Sequence, residues 1–286
     1  MKMKGPSDFD ALILEGGSMR CAFTAGVLDS FSAMEFRPFK QYIAVSAGSM
    51  ALTSFLSGQR KHFITLAMEL AEDSRFISFR SAFSEEGLMN LSFLAKSVLD
   101  GAPIDWNQLE LELEGKKALI VTTDAETGIP LYLSPKKDNW MRCVMASSAL
   151  PLVTRGRINV GGRWMFDGGF SDGIPFMKAV EIGCKKILVI RTRPSGDLVT
   201  QGTLDYLASW VYLRTPPITK LFESGFERYN AQVEQLLTGG NATAEWEELA
   251  PLRPLRSDGY YVTSVDLLAD YHHGLEVGLD WLSRNR

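Results

Sequence analysis

The chain has 286 residues, of which 45% are apolar and 22% are charged, and its formal net charge is −4. This balance is typical of a folded globular protein and argues against a disordered or membrane-spanning chain. The negative net charge argues against nucleic acid as the main partner, because phosphate binding needs a concentrated positive face.

The N-terminal region contains only a short apolar stretch, Ala11–Leu14, before Glu15. This stretch is too short for the apolar part of a signal peptide or for a membrane span. The three cysteines form no CxxC pair and cannot all be in disulfides, which indicates a reducing compartment. We therefore expect a cytoplasmic protein, whose contact with a membrane surface would be peripheral.

The first elements repeat one unit, a strand, a tight loop and a helix. Ala11–Leu14 is predicted as a buried strand, and the apolar residues from Phe23 to Phe31 recur at helical spacing. Residues 42–45 predict a second strand, and Met50–Leu56 the helix that follows it. Strands that alternate with helices predict a mostly parallel sheet covered on both faces.

The rest of the chain continues the alternation and then becomes mainly helical. Short apolar runs predict strands at residues 118–123, 131–133, 164–166 and 187–190. Apolar spacing predicts helices at 139–147, 176–182, 203–213, 219–237 and 265–282. No linker separates domains, so we expect one domain over residues 1–286. Its motif-bearing core covers about 9–195 and a helical C-terminal extension about 196–286.

Ser46 lies between a predicted strand and a predicted helix, with small residues at Ala44, Ala47 and Gly48. This placement fits a nucleophile elbow, whose sharp turn holds the hydroxyl clear of the sheet. The N-terminus of the helix would offer N–H groups to a developing oxyanion. The match to G-x-S-x-G is imperfect at Ala44, and a simple helix N-cap is the alternative.

A glycine pair, Gly16 and Gly17, follows the first strand, with Ser18 and Arg20 behind it. Adjacent glycines let consecutive N–H groups point at one spot, where the helix dipole adds positive potential. Such a loop suits an oxyanion hole. A phosphate site is less well supported, because the chain has neither the dinucleotide-binding spacing nor a P-loop. Arg20 could equally be a solvated helix residue.

Asp167 leaves a short predicted strand and is followed by Gly168 and Gly169. The glycines free the backbone to bend, so the carboxylate can face a cleft; a plain Asp-Gly turn is the alternative. Ser46, the glycine-rich loop and Asp167 all follow predicted strands. Because parallel strands end along one edge of a sheet, where ligands bind, we expect the three to converge.

Four motifs follow one another along the chain: the loop Glu15–Arg20 with Phe23–Asp29, the elbow Val45–Gly48, the stretch Ala146–Pro151, and Asp167-Gly168-Gly169. In this order they resemble the motifs of the bacterial patatin-like phospholipases. The resemblance covers roughly residues 9 to 195. It implies a three-layer α/β/α fold with a mostly parallel central sheet, here with extra C-terminal helices, and hydrolysis of lipid esters by a Ser–Asp dyad.

The resemblance also implies a role for individual residues. Ser46 would be the nucleophile and Asp167 the base, and the oxyanion hole would be formed by Gly16, Gly17 and Ser18. Supporting positions would be Arg20, Ala47, Gly48, Gly168 and Gly169. The chain departs from the family at Ser18 and Cys21, where glycine is more usual, and at Ala44. Positive φ at Ser18 would strain the loop.

An aspartate can act on a serine hydroxyl only if its surroundings strengthen it as a base. Its ordinary pKa of about 3.9 is far below that of the hydroxyl, so burial and a direct hydrogen bond are needed. We therefore expect Asp167 within hydrogen-bond reach of Ser46. The substrate would be a lipid or another ester, and acyl-chain length, head group and oligomeric state stay open.

Two other functions fit parts of the sequence. One is an α/β-hydrolase triad of Ser46, Asp167 and either His272 or His273, which has the expected chain order. The other is a non-catalytic relative that holds an acyl group, with Phe76–Leu94 or the helices after Thr203 as a lid or channel. No metal or other cofactor is expected, since no pair of histidines or cysteines has ligand spacing with a matching third group.

Overall fold

The structure is a computed structural model that describes residues 9–72, 103–151, 157–201, 212–259 and 262–285. A mixed sheet of eight strands lies at its centre. The strands are β1 (Ala11–Leu14), β2 (Gln41–Val45), β3 (Lys117–Asp124), β4 (Pro130–Leu133), β5 (Ile158–Val160), β6 (Arg163–Asp167), β7 (Lys186–Ile190) and β8 (Glu245–Leu249).

The strand order is β5-β6-β3-β2-β1-β7-β8, with β4 paired to β3. Strands β3, β2, β1, β7 and β8, in this order, run parallel to one another. Strands β4 and β6 pair antiparallel with β3, and β5 pairs antiparallel with β6. The parallel part therefore forms one side of the sheet and the antiparallel part the other.

Helices cover the sheet. Within the described residues they are α1 (Cys21–Ala33), α2 (Ala47–Leu56), α3 (His62–Glu72), α4 (Trp106–Glu112), α5 (Trp140–Ser147), α6 (Phe176–Glu181), α7 (Pro216–Glu223), α8 (Gly225–Leu236) and α9 (Ser264–Arg284). None of these helices is long and apolar enough to span a bilayer.

The alternation of side chains along β1 divides the core into two layers. Leu12 and Leu14 belong to the larger cluster, which α1, α2 and α9 cover. Ala11 and Ile13 point the other way, into a cluster that α6 and α8 cover. Because successive strand residues face opposite sides, a strand that is apolar throughout must be buried on both faces. The result is the three-layer α/β/α fold that the sequence predicted.

The C-terminal helix α9 packs directly on α1. A Cβ atom at Gly26 of α1 would lie 2.1 Å from the carbonyl oxygen of Tyr271, and one at Gly274 would lie 2.0 Å from that of Phe23. Only glycines allow the two backbones to approach so closely. Helix α9 begins at a capping box formed by Thr263 and Asp266.

Most predicted elements are confirmed, with ends shifted by one to three residues, but the C-terminal extension differs. The predicted helix 219–237 is two helices that break at Ser224. The extension is not wholly helical, because β8 joins the sheet beside β7. Strands β5 and β8 and helices α3 and α4 were not predicted. The predicted helix 203–213, except for its last two residues in a turn, and the segment Phe76–Leu94 lie outside the described residues.

Candidate active site

Strand β3 brings Ser46 and Asp167 side by side. Strand β2 pairs with β3 up to Val45, which lies opposite Val121, and β6 pairs with β3 from Asp167, which lies opposite Thr122. Strand β4 already occupies the other side of both Val121 and Thr122. Strands β2 and β6 therefore pair with the same side of β3, one after the other. The end of β2 meets the end of β6.

A hydrogen bond joins the two side chains at this junction. The Ser46 hydroxyl donates to Asp167 Oδ2 over 2.6 Å, and the Gly169 N–H donates to Asp167 Oδ1 over 2.8 Å. Ser46 has φ 51° and ψ −132°, a backbone conformation that residues other than glycine rarely adopt. Such strain persists only where the surroundings fix it, and it clusters at functional sites.

Asp167 is a buried carboxylate at the end of β6. Its residue surface is 5% exposed, and no lysine, arginine or histidine in the described ranges forms an ion pair with it. Burial raises the pKa of Asp167 to about 6, against the hydrogen bonds from Ser46 and Gly169, which lower it. The group is thus a stronger base than an exposed aspartate and is still ionised at neutral pH.

The glycine-rich loop lies against the turn at Ser46. A Cβ atom at Gly16 would lie 2.9 Å from the Cβ of Ser46, so a larger residue would push the two segments apart. The N–H groups of Gly16, Gly17 and Ser18 take no part in the hydrogen bonds among the described residues. Ser18 has φ 51°, which is the strained conformation considered from the sequence.

The supporting positions lie at the same junction. Ala47 and Gly48 form the first turn of α2. A Cβ atom at Gly168 would lie 2.3 Å from the carbonyl oxygen of Val121. Ala44, where the family usually has glycine, is completely buried in the sheet. Ala47, Gly48 and Gly168 therefore lie in the turns that follow Ser46 and Asp167, and Ala44 lies in the strand before Ser46.

Two further residues of the loop are fixed by contacts of their own. Arg20 forms an ion pair with Asp258 at 2.8 Å, and its Nε lies 3.5 Å from the hydroxyl of Thr192. Cys21 is buried, with its Sγ 3.8 Å from the carbonyl oxygen of Glu15. Burial raises the pKa of the Cys21 thiol to about 12, so it stays protonated and unreactive.

A buried polar cluster beneath the loop was not predicted from the sequence. Glu15 accepts hydrogen bonds from Arg191 Nε at 3.0 Å, from the N–H of Thr192 at 2.6 Å and from the Tyr229 hydroxyl at 2.5 Å. Arg191 also contacts Glu248 at 2.7 Å. Burial acts to raise the pKa of Glu15, but Arg191, Tyr229 and Thr192 lower it below the ordinary value. The cluster fixes the residue that precedes Gly16.

A cleft of about 440 Å³ opens over Ser46 and Asp167, within the size range of small-molecule sites. The glycine-rich loop forms one wall, and Arg20 and Arg193 lie on the cleft lining. The apolar part of the lining consists of Leu150, Phe170, Val199, Leu221, Phe222 and Phe226. The cleft thus combines a polar side at the loop with an apolar side that suits a hydrocarbon chain.

None of the three histidines contacts the pair. His273 Nε2 accepts a hydrogen bond from the N–H of Leu252 at 3.3 Å, His272 is exposed, and His62 Nδ1 lies 2.8 Å from the Ser54 hydroxyl. The geometry therefore gives no support to the triad. In the described part of the chain, no group of three or more histidine, cysteine or acidic residues is arranged to hold a metal ion.

Comparisons with known proteins found a family model, a relative and a solved structure to which this chain is similar. The sequence model of the patatin-like phospholipases matches residues 12–180. The uncharacterized protein YjjU of Escherichia coli K12 is 29% identical over 275 residues, which cover 96% of this chain and 77% of YjjU. Among solved structures, VipD from Legionella pneumophila matches with a TM-score of 0.46 and 10% identity, over 97% of this chain and 67% of VipD.

Proposed function

Since the chain belongs to the patatin-like phospholipase family, we propose that it hydrolyses acyl esters of lipids with Ser46 as the nucleophile and Asp167 as its base. The observation that carries this proposal is the 2.6 Å hydrogen bond from the Ser46 hydroxyl to Asp167. Both residues line a cleft whose other lining residues are in part apolar. A hydroxyl that already donates its proton to a carboxylate is poised to lose it.

The reaction runs in two steps. In the first, Ser46 Oγ attacks the ester carbonyl carbon while its proton passes to Asp167. The tetrahedral intermediate collapses, and the alcohol leaves with that proton. In the second, water attacks the acyl group on Ser46, Asp167 takes a proton from the water, and this proton returns to Ser46 as the fatty acid leaves.

The glycine-rich loop is proposed to stabilise the oxyanion of both intermediates. The N–H groups of Gly16, Gly17 and Ser18 are not used by the described residues, and Gly16 lies against Ser46. Donors that are free and fixed in place stabilise developing charge without reorganising, and one such donor is worth about 10²–10³-fold in rate. Arg20 would add positive potential at the edge of the loop.

The whole described chain is proposed as one catalytic unit. Strand β8 belongs to the central sheet, and Tyr229 of α8 bonds to Glu15 directly before the loop. Helix α8 and strand β8, which follow residue 196, are thus part of the support for the site.

A cytoplasmic location is proposed as well, because Cys21, Cys143 and Cys184 are all free thiols.

We also propose that the protein meets its substrate at a lipid surface, through three exposed side chains near the cleft. Ile129, Trp164 and Leu213 are 51%, 41% and 58% exposed. The guanidinium of Arg157 lies 5.0 Å from the ring centre of Trp164, and an arginine with a tryptophan suits the boundary between lipid and water.

Aromatic contacts connect this cleft-side face (Ile129, Trp164 and Leu213) to the cleft. Phe166, on the same side of β6 as Trp164, contacts Tyr212 edge to face with the ring centroids 5.6 Å apart. The Tyr212 ring lies tilted against that of Phe222, with the centroids 5.8 Å apart. Phe222 lines the cleft, and Leu213 follows Tyr212 in the chain. Phe166, Tyr212 and Phe222 thus form one apolar cluster that connects the cleft-side face to the cleft lining.

The second candidate function is binding of an acyl group without hydrolysis. It rests on Ser18, a residue other than glycine with φ 51° in the loop. If the strain at Ser18 turned the N–H groups away from the oxyanion, the cleft would hold an ester and leave it intact. Turnover decides between the two functions.

The test is release of p-nitrophenol from esters of short and medium acyl chains, and of fatty acid from phospholipid vesicles. Wild type is compared with Ser46→Ala, Asp167→Asn and the control Asp172→Asn. Asp172 is also buried, but it bonds to Tyr132 and Gln232 and does not contact Ser46. Hydrolysis that is lost in the first two variants and kept in the third supports the proposal. A folded wild type that hydrolyses none of these substrates rejects it in favour of acyl binding.

A further inference from the structure

The stretch Ala146–Pro151 is one of the four motifs, and the proposed reaction gives it no role. Ser147 ends helix α5 and is completely buried. Its hydroxyl accepts a 2.7 Å hydrogen bond from the N–H of Ser46 and donates a 2.6 Å hydrogen bond to the carbonyl oxygen of Val121. The Ser147 hydroxyl thus stands between the end of β2 and its neighbour β3.

The position of this hydroxyl matters because β2 turns away from the sheet at Ser46. Pairing of β2 with β3 stops at Val45 and Val121, so the next N–H of β2 and the carbonyl of Val121 would lose their partners. A buried N–H or carbonyl without a partner costs about 1–3 kcal/mol. The Ser147 hydroxyl satisfies both groups at the residue whose φ is 51°.

The same segment also holds the other member of the pair. The N–H of Asp167 donates a 2.9 Å hydrogen bond to the carbonyl oxygen of Ala149. Two residues of one short segment therefore bind the backbone N–H groups of both Ser46 and Asp167. The neighbouring Ser148 differs, because its hydroxyl bonds only within its own helix, to the carbonyl of Val144 at 3.1 Å.

We infer that Ser147 and Ala149 are the positioning residues of the site, and that the Ser147 hydroxyl fixes the strained turn at Ser46 against Asp167. Ser147 does not touch the substrate in this account; it acts through the backbone of Ser46. The inference rests on the proposed function for its kinetic consequences. Its structural consequence, protection of the Ser46 N–H, is independent of any activity.

The kinetic test compares Ser147→Ala with the matched control Ser148→Ala. A displacement of about 1 Å can cost about 10²-fold in rate, so we expect kcat of Ser147→Ala to fall about 10- to 100-fold with KM little changed. Ser148→Ala should stay within about 2-fold of wild type, since its hydroxyl contacts neither Ser46 nor Asp167.

The pH profile separates positioning from a general loss of structure. The hydrogen bond from Ser46 lowers the pKa of Asp167. If Ser147→Ala lets Ser46 move away, the pKa of Asp167 rises, and the acid limb of kcat/KM moves to higher pH. A variant that is merely less stable would lose activity without this shift. Wild-type kcat and an unchanged acid limb in folded Ser147→Ala would overturn the inference.

Hydrogen exchange tests the same point without turnover. In Ser147→Ala the N–H of Ser46 should exchange at least about 10-fold faster than in wild type, while those of Ile43 and Ala44 in β2 keep their rates. Equal protection of the Ser46 N–H in both proteins would overturn the inference even if wild type proved inactive. If Ser147→Ala does not fold, Ser147→Cys serves both tests, because a thiol fills the space but is a weak hydrogen-bonding partner.

Discussion

Two buried carboxylates lie at the same edge of the sheet, and they are held in opposite ways. Glu15 follows β1 and is 3% exposed, and Asp167 ends β6 and is 5% exposed. Glu15 has Arg191 beside it, with Tyr229 and Thr192 as further donors, and its pKa is lowered. Among the described residues no cation contacts Asp167, which accepts hydrogen bonds from a serine hydroxyl and one N–H, and its pKa is raised to about 6.

The difference assigns the two groups to different tasks. A carboxylate that is paired with a buried arginine stays charged and fixed, so Glu15 is suited to hold the glycine-rich loop in place. A buried carboxylate without a cation is destabilised as an anion, and it therefore gains by accepting a proton. In our account that proton comes from Ser46.

The largest effect is expected from Asp167→Asn. The amide keeps the shape of the side chain but cannot accept the proton, so kcat should fall by about 10⁴-fold, as for other residues of catalytic groups of this kind. Steady-state hydrolysis of a p-nitrophenyl ester measures it. A loss of less than about 10-fold would show that Asp167 is not the base.

The same variant should be more stable than wild type at high pH. The folded-state pKa of Asp167, about 6, lies above the ordinary value of 3.8, so ionisation costs the folded state about 3 kcal/mol above pH 6. This cost disappears as the pH falls from 6 to below 4. Urea unfolding should therefore show a stability gain for Asp167→Asn at pH 8 and none near pH 4. A gain that does not depend on pH would contradict the raised pKa.

Glu15→Gln should have the opposite consequence for stability. It removes the charge that faces the buried Arg191, and loss of one partner of a buried ion pair costs about 3–5 kcal/mol. The pKa of Glu15 is lowered in the fold. The ionised Glu15 therefore stabilises the wild-type fold above its ordinary pKa, and this stabilisation is lost as the pH falls through the folded-state pKa. The control is Glu245→Gln, an exposed residue of β8. Equal unfolding free energies for Glu15→Gln and this control would contradict the account.

Activity should depend on pH through one carboxylate. We expect kcat/KM to fall below about pH 6, the value to which burial raises the pKa of Asp167, by about 10-fold per pH unit. This fall in kcat/KM at acid pH should remain in His272→Ala and in His273→Gln, since neither histidine contacts Asp167. If kcat/KM of either variant no longer fell at acid pH, the result would instead favour the triad.

The smallest effect concerns the lipid surface. Ile129→Ser combined with Trp164→Ser removes two exposed apolar side chains, and burial of each is worth about 1.5–3 kcal/mol at most. We expect about 10-fold weaker sedimentation with phospholipid vesicles, measured in a Ser46→Ala background so that hydrolysis plays no part. The control is Leu252→Ser, which is 83% exposed outside the cleft-side face. Equal loss in the control would reject this face as the contact.

Local patterns in the sequence were enough to predict β1, β2, the glycine-rich loop and the turn at Ser46. Those residues are close in the chain, and their small side chains and strand-end positions identify them. Arg191 and Tyr229 could not be predicted as partners of Glu15, because they follow it by 176 and 214 residues. Strand β8 was missed because it buries only Trp246 and Leu249 while acidic residues separate them, which leaves little alternation to detect.

The register of β3 could not be predicted either, although it decides the site. The sequence indicated that Ser46 and Asp167 both follow strands. The structure shows where the two strands end against β3. Strand β2 ends opposite Val121, and β6 ends opposite Thr122 on the same side of β3. That register joins two motifs that are 121 residues apart.

The central claim is that Ser46 carries the acyl group during turnover. The direct measurement is mass spectrometry of the protein mixed with a p-nitrophenyl ester and quenched in acid before the reaction is complete, followed by digestion and peptide mapping. We expect the mass of one acyl group on the peptide that contains Ser46 in wild type, and none in Ser46→Ala or Asp167→Asn. An acyl group on another residue, or turnover that persists in Ser46→Ala, would contradict the account.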